Sequence, residues 1–399
     1  MTKSKLRSLH FSYTPLAGSP IRIVNALNKH TDIEARLVNL NALAYKTRVF
    51  EEDLLWSENQ QEILQLLDKA DVIHLHNWVD LVDNKFGIDF GKCLKKGQHV
   101  VRQFHTNPER LAKTWGVHLQ DIISDPIAQL VLAQFHERYY PRARIVPNIV
   151  PIFDQDYLTY HENSGELCKI FFSPTSLRSA WESRWDTKGA NETIKIIKNL
   201  KKTFDFDFEY VSRRPHKETI VKKRKSDVVI DEVVTGSYHI STLEGLSQGK
   251  PTLAYLDQRT ISAIYEITGS VSQIPVVNAK LEDLGSIMKR IITDKALRKG
   301  LGDYSREWME KYWDDSHMVQ HYVRAYDDLI NRPERFAISR FDKKRTWLFT
   351  EMLDETWMGR KARWSQFNST YGFIQKSLWN IKKLKSSMIS KIKTLYRSK

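Results

Sequence analysis

Cysteine is scarce in this chain of 399 residues: Cys93 and Cys168 are the only two, far apart, and no Cys/His cluster has zinc spacing. A disulfide framework and a structural zinc module are thereby excluded, and two unpaired thiols in a reducing cytoplasm are expected. A run of about 18 apolar residues is also missing, so nothing is expected to span a bilayer. The stretch from Met1 to Phe11 is too briefly apolar for a signal peptide. Internal repeats and low-complexity runs are absent, and after Glu355 there is no acidic side chain at all.

What remains is a globular composition, 41% hydrophobic and 28% charged, long enough for two domains and an extension. The net charge of +14 is unevenly placed, because eleven Lys and Arg residues follow Glu355 unopposed. The excess belongs to a tail, and the rest is near neutral.

The first half alternates short buried strands with helices. Strands are expected over 6–13, 33–38, 71–76, 98–104 and 143–148, and helices over 21–29, 57–70 and 126–139, with Pro126 in a first turn. A connector over about 150–167 breaks the periodicity. A second series follows: strands 168–172, 206–211, 228–230, 252–255 and 274–277, with helices over 188–202, 280–311 and 316–330. Such alternation predicts α/β architecture with two open parallel sheets. The expected units are residues 1–155, 166–315, a helix over 316–332 crossing back onto the first unit, and a helical basic extension over 333–399.

Residues 227–255 are the richest segment. A buried strand ends at Asp231 and Glu232, Gly236 and Ser237 supply a turn and an N-cap, and a helix with Ile240, Leu243 and Leu246 on one face stops at Gly249 and Pro251. A strand-to-helix turn of this kind aims backbone N–H groups at a cleft and suits an anionic diphosphate. Glu244, expected about two turns into the helix, is placed to accept hydrogen bonds from ribose hydroxyls. An ordinary α/β crossover is the plainer reading of the same pattern. Asp231, Glu232, Gly236, Tyr238, Glu244, Gly245, Gly249 and Pro251 together resemble the donor signature of GT-B glycosyltransferases of the family-4-like kind. The first glutamate of that family's familiar form would fall at Gly236, so here that carboxylate is absent. The resemblance covers residues 5–330 and implies two Rossmann-like domains facing across a cleft, with sugar transfer from a nucleotide-sugar to an acceptor hydroxyl and no bound metal or other cofactor.

The resemblance also assigns candidate residues. Glu244 would meet the ribose, Lys188 and Arg184 the diphosphate, and the backbone of Gly236 and Ser237, near Tyr238, the phosphates or sugar. Gly18, in the loop before the first helix, and Ser173, after the first strand of the second unit, would line the cleft. His105, Asp231 and Glu232 would lie near the reacting sugar. Asn148 resembles the turn before the interdomain linker. His74 and His76 share a strand face, which raises metal binding, but no third ligand is evident nearby.

The tail repeats Ile374, Leu378, Ile381, Leu384, Met388, Ile392 and Leu395 at helical spacing among lysines. A membrane-surface helix over 372–397, drawn to anionic lipid, is expected; nucleic acid and the protein's own body are the competing partners. Three functions fit: a cytoplasmic, peripherally bound transferase in cell-surface polysaccharide or glycolipid synthesis, a phage-type transferase acting on modified DNA bases, and a non-catalytic nucleotide-sugar binding module.

Overall fold

The computed structural model describes residues 5–40, 50–123, 125–135, 140, 142–160, 167–174, 177, 179–180, 188–212 and 214–336. The expected helix over 372–397 and Arg184 lie outside these residues. The two sheets anticipated from the alternation are both present. The first has seven parallel strands, β1 (Arg7–Ser12), β2 (Glu34–Asn39), β3 (Leu54–Leu55), β4 (Val72–His76), β5 (His99–Phe104), β6 (Ala128–Leu132) and β7 (Arg144–Val146), in the order β3-β2-β1-β4-β5-β6-β7. The second has five, β8 (Cys168–Phe172), β9 (Phe206–Tyr210), β10 (Val228–Ile230), β11 (Thr252–Ala254) and β12 (Val276–Asn278), in the order β12-β11-β10-β8-β9. Strand order reverses between β1 and β4 in one sheet and between β8 and β10 in the other. Crevices open at the C-terminal ends of strands at such points.

Two expectations change. Residues 128–132 form β6, not the middle of a helix; the run Ala-Gln-Leu-Val-Leu is buried on both faces between β5 and β7, where a parallel strand reads as a continuous apolar run. The helix expected over 188–202 begins at Ala190, because Gly189 at its N-cap is left-handed (φ 60°) and Lys188 lies outside it. A Cβ on Gly189 would fall 2.5 Å from Val234 Cγ2, so the turn packs directly against the loop after β10.

Each lobe buries its own core, but one apolar cluster runs continuously between them. Leu132, Ile149 and Ile152 of the first lobe and Tyr238, Leu243 and Leu246 of the second belong to it, as do Trp313, Tyr322 and Tyr326. The last two sit on helix Gln320–Asn331, which packs back on the first lobe: Arg144 at the start of β7 pairs with Asp328 at 2.7 Å. Arg306 ties the connector down by donating to the carbonyls of Ile152, Tyr157 and Ser247. Both cysteines are free and buried, and no described helix is long and apolar enough to cross a membrane.

Candidate functional site

The loop between β1 and helix Ser19–His30 is held in an unusual conformation. Leu16, Ala17 and Gly18 are all left-handed (φ 46°, 56° and 75°), which costs about 1 kcal/mol or more at each non-glycine residue. The turn delivers Gly18 to the helix start, where it faces a cleft of about 740 Å³. Arg22, one turn further on, lines the same cleft with Phe50, Tyr157 and His216.

Arg22 crosses to the second lobe. Its Nη2 donates to Glu244 Oε1 at 2.9 Å and to Tyr157 Oη at 3.0 Å. His216 Nε2 reaches the same Glu244 oxygen at 2.7 Å, and Lys223 Nζ donates to Oε2 at 2.5 Å. The Glu244 carboxylate is 3% exposed, so these bases decide its state. Burial alone would raise its pKa, but Lys223, His216 and Arg22 together hold it well below the ordinary carboxylate range. Two basic side chains and one imidazole thus converge on a single buried carboxylate, at a cleft that Glu51, Asp154, Asp156 and Asp315 also line. Glu244 sits one turn into helix Ile240–Ser247, not two, behind Arg22 and His216 as seen from the cleft.

The segment after β10 is built around Asp231. Its Oδ2 accepts from the N–H groups of His239 (3.0 Å) and Thr242 (3.2 Å) and from Thr242 Oγ1 (2.6 Å), while Lys188 Nζ binds Oδ1. The N-cap of the helix is His239, and the carboxylate that satisfies its first amides comes from Asp231. Ser237, expected to cap it, instead donates to the Gln134 carbonyl of the first lobe at 3.0 Å. Despite burial, Lys188 and His239 hold Asp231 strongly ionised. Glu232 beside it makes no ion pair among the described residues. Its carboxylate closes a local turn on Thr235 N (2.9 Å) and Oγ1 (2.5 Å), and burial pushes its pKa up to about 7. Gly236 is left-handed, with a Cβ position only 3.0 Å from Asp257 Cβ.

The remaining candidates are dispersed. Tyr238 packs edge-to-face on Trp313, and its carbonyl accepts from Gln134 Nε2 at 2.7 Å, so it belongs to the lobe interface. Asn148 donates to Gln134 Oε1 at 3.0 Å and supports the same contact. Ser173 follows Phe172 at the C-terminal end of β8. His105 follows β5, its N–H held by Asn77 Oδ1 at 2.7 Å and its Nε2 2.9 Å from His76 Nδ1. The third imidazole beside His74 and His76 is His10 on β1, where Ser8, His10 and Ser12 turn a buried polar face toward β4.

No protein-family model matches the chain, and no curated protein matches it in sequence. Solved structures do match in fold. An alpha-glucosyltransferase in complex with UDP and a 13-mer DNA containing a HMU base aligns with a TM-score of 0.56 at 11% identity, covering 82% of this chain and 100% of the other. A glycosyltransferase from Rickettsia africae ESF-5 gives 0.52 at 12% identity over 82% and 100% of the two chains. Sucrose-phosphate synthase from Thermosynechococcus elongatus gives 0.50 at 12% identity over 81% and 99%. Two parallel sheets with facing crevices, shared with glycosyltransferases along nearly their whole length, give this chain the GT-B fold.

Proposed function

We propose that this protein is a glycosyltransferase that binds a nucleoside diphosphate sugar between its lobes and passes the sugar to an acceptor hydroxyl. The observation that carries the reading is the basic cluster beside the cleft, where Arg22, His216 and Lys223 converge on one carboxylate, Glu244, while Glu51, Asp154, Asp156 and Asp315 line other parts of the cleft. A diphosphate supplies the negative charge this cluster lacks. Cations held rigidly in place stabilise charge as it builds on the leaving oxygens, with no reorganisation during reaction. In this reading Glu244 is first the counter-ion that organises the three bases and second a partner for the ribose. Lys188 exchanges Asp231 for a phosphate oxygen, His105 stands at the sugar, and no divalent ion or other cofactor is required.

The acceptor is assigned to a membrane-associated glycan or glycolipid, on the strength of the unopposed basic residues after Glu355. A modified DNA base is the second reading, supported by the similar alpha-glucosyltransferase solved in complex with DNA containing a HMU base. One assay separates them. Nucleotide release from UDP-, GDP-, ADP-, CMP- and dTDP-sugars is followed with anionic vesicles carrying a lipid-linked glycan, or with duplex DNA carrying the HMU base. Vesicle-stimulated release supports the first acceptor and salt-sensitive, DNA-stimulated release the second. Tight donor binding with no transfer would contradict both and leave a binding module.

A further inference from the structure

Three loops at the C-terminal ends of the first sheet contribute one ring each to a single stack. Phe86, in the loop after β4, is buried edge-on against Phe11 of β1 at 5.2 Å. Tyr13, just after β1, lies on Phe86 at 5.2 Å and 5° from parallel. Trp115, at the end of the helix Pro108–Trp115 that follows β5, rests on Tyr13 at 4.7 Å with a tilt of 32°. Exposure grows along the stack: Phe86 is buried, Tyr13 and Trp115 are half-buried, and Lys85, whose Nζ stands 5.2 Å from the indole centroid, is exposed. Strand order reverses between β1 and β4, so the stack stands where the topology opens a crevice.

The loop that carries Phe86 and Lys85 is braced by its own polar groups. Asp80 Oδ1 accepts from the N–H groups of Val82 and Asp83 at 2.9 and 2.8 Å, and Asn84 Nδ2 donates to the carbonyls of Asp80 and Ile88 at 2.9 and 2.7 Å. The Lys85 N–H donates to Tyr13 Oη at 3.3 Å and ties the loop to the stack. Trp115 shares the inner stripe of its helix with Pro108 and Leu111, yet it stays half-exposed, with Tyr13 and an ammonium group as its ring contacts. The charge beside it leans acidic. Residues 80–88 carry Asp80 and Asp83 against Lys85, and the buried Arg102 is already paired with Asp125. Asp83 is exposed, and neither its carboxylate nor Lys85 makes an ion pair among the described residues.

We propose that Trp115, with Asp83 and Lys85 at its rim, is an acceptor subsite that holds a neutral hexopyranose unit of a glycan by stacking. One face of a pyranose presents carbon-bound hydrogens of slight positive charge, which rest on the electron-rich face of an indole. Its hydroxyls donate to a carboxylate and accept from an ammonium group, so Lys85 moves from the ring to a sugar oxygen. The subsite shares no residue with the cleft beside Glu244. A nucleobase stacks on an indole equally well, but it brings a phosphate chain past Asp80 and Asp83, which repel it. The acidic loop therefore favours the glycan. The acceptor role itself rests on the transferase reading above.

A microarray of neutral hexose-containing glycans, printed beside single-stranded and duplex DNA carrying the HMU base, tests the subsite with the labelled full-length chain. The wild type should be captured on glycan spots. Trp115→Ala should lower that signal about tenfold, and Asp83→Ala, which removes an exposed side chain, should do the same through a lost hydrogen bond to a charged group. Capture on DNA but on no glycan, capture on neither, or glycan capture unchanged in either variant would overturn the inference. Titration of the same protein with UDP-glucose and GDP-mannose separates it from the reading it rests on. Donor binding without glycan capture overturns the subsite alone. Glycan capture that depends on Trp115, with no donor binding, keeps the subsite and overturns the transferase reading.

Discussion

Asp231 and Glu232 are adjacent, both buried, and driven in opposite directions: Lys188 and His239 keep Asp231 ionised, while burial, with the charge of Asp231 alongside, raises Glu232 to about 7. Between pH 4.5 and 7 the native protein holds a proton on Glu232 that the unfolded chain has released, so stability falls as pH rises through that window, by roughly 3 kcal/mol. Glu232→Gln keeps an acceptor for Thr235 and removes the titration. Its melting temperature relative to wild type should therefore climb between pH 5 and pH 8, and a pH-independent difference would refute the assignment. Glu244→Ala leaves three bases without their anion, and urea unfolding should show a loss of about 3–5 kcal/mol. Asp231, Glu232 and Glu244 were legible in the sequence because they interrupt or follow apolar runs. Arg22, His216, Lys223 and His10 were not, because their importance lies in contacts across lobes or between strands. A faint signal existed for two of them. Arg22 is the one charge in the first two turns of helix Ser19–His30, and His10 shares a strand face with Ser8 and Ser12 as His76 does with His74.

At the scale of elements, helix Ile240–Ser247 lies against its sheet so closely that glycine is required. A Cβ at Gly245 would stand 2.5 Å from Thr252 Oγ1 and 3.3 Å from Val229. Gly245→Ala should cost about 1–3 kcal/mol through overpacking, read as a lowered urea midpoint. Gly116→Ala meets nothing within 4 Å and pays only for its left-handed backbone (φ 65°), about 1 kcal/mol. Equal losses at the two positions would contradict the packing argument. Most strands were legible from apolar runs bounded by polar residues, and Cys168–Phe172 matches its expected span throughout. β6 was not, because five apolar-rich residues after a proline fit a buried helix as well as a buried strand, and only pairing with β5 and β7 decides between them. The helices His216–Arg224 and Gln258–Thr268 also escaped notice, the first because a buried lysine, Lys223, accompanies Ile220 on its inner face and blurs its apolar period.

The molecule as a whole joins two lobes through an apolar interface and a buried ionic contact, with the cleft that Arg22 and His216 line beside them. If that cleft holds a nucleoside diphosphate, removing Arg22, which reaches across from the first lobe to Glu244, should weaken binding without abolishing the fold, since Lys223 and His216 still hold Glu244. Calorimetric titration of the full-length chain with UDP-glucose and GDP-mannose at low salt, wild type against Arg22→Gln, is the most direct test. The account predicts one saturable site for at least one donor and an affinity about tenfold weaker in the variant, equivalent to about 1.4 kcal/mol. No saturable binding by the wild type, or equal affinity in the two proteins with melting temperatures matched, would contradict it.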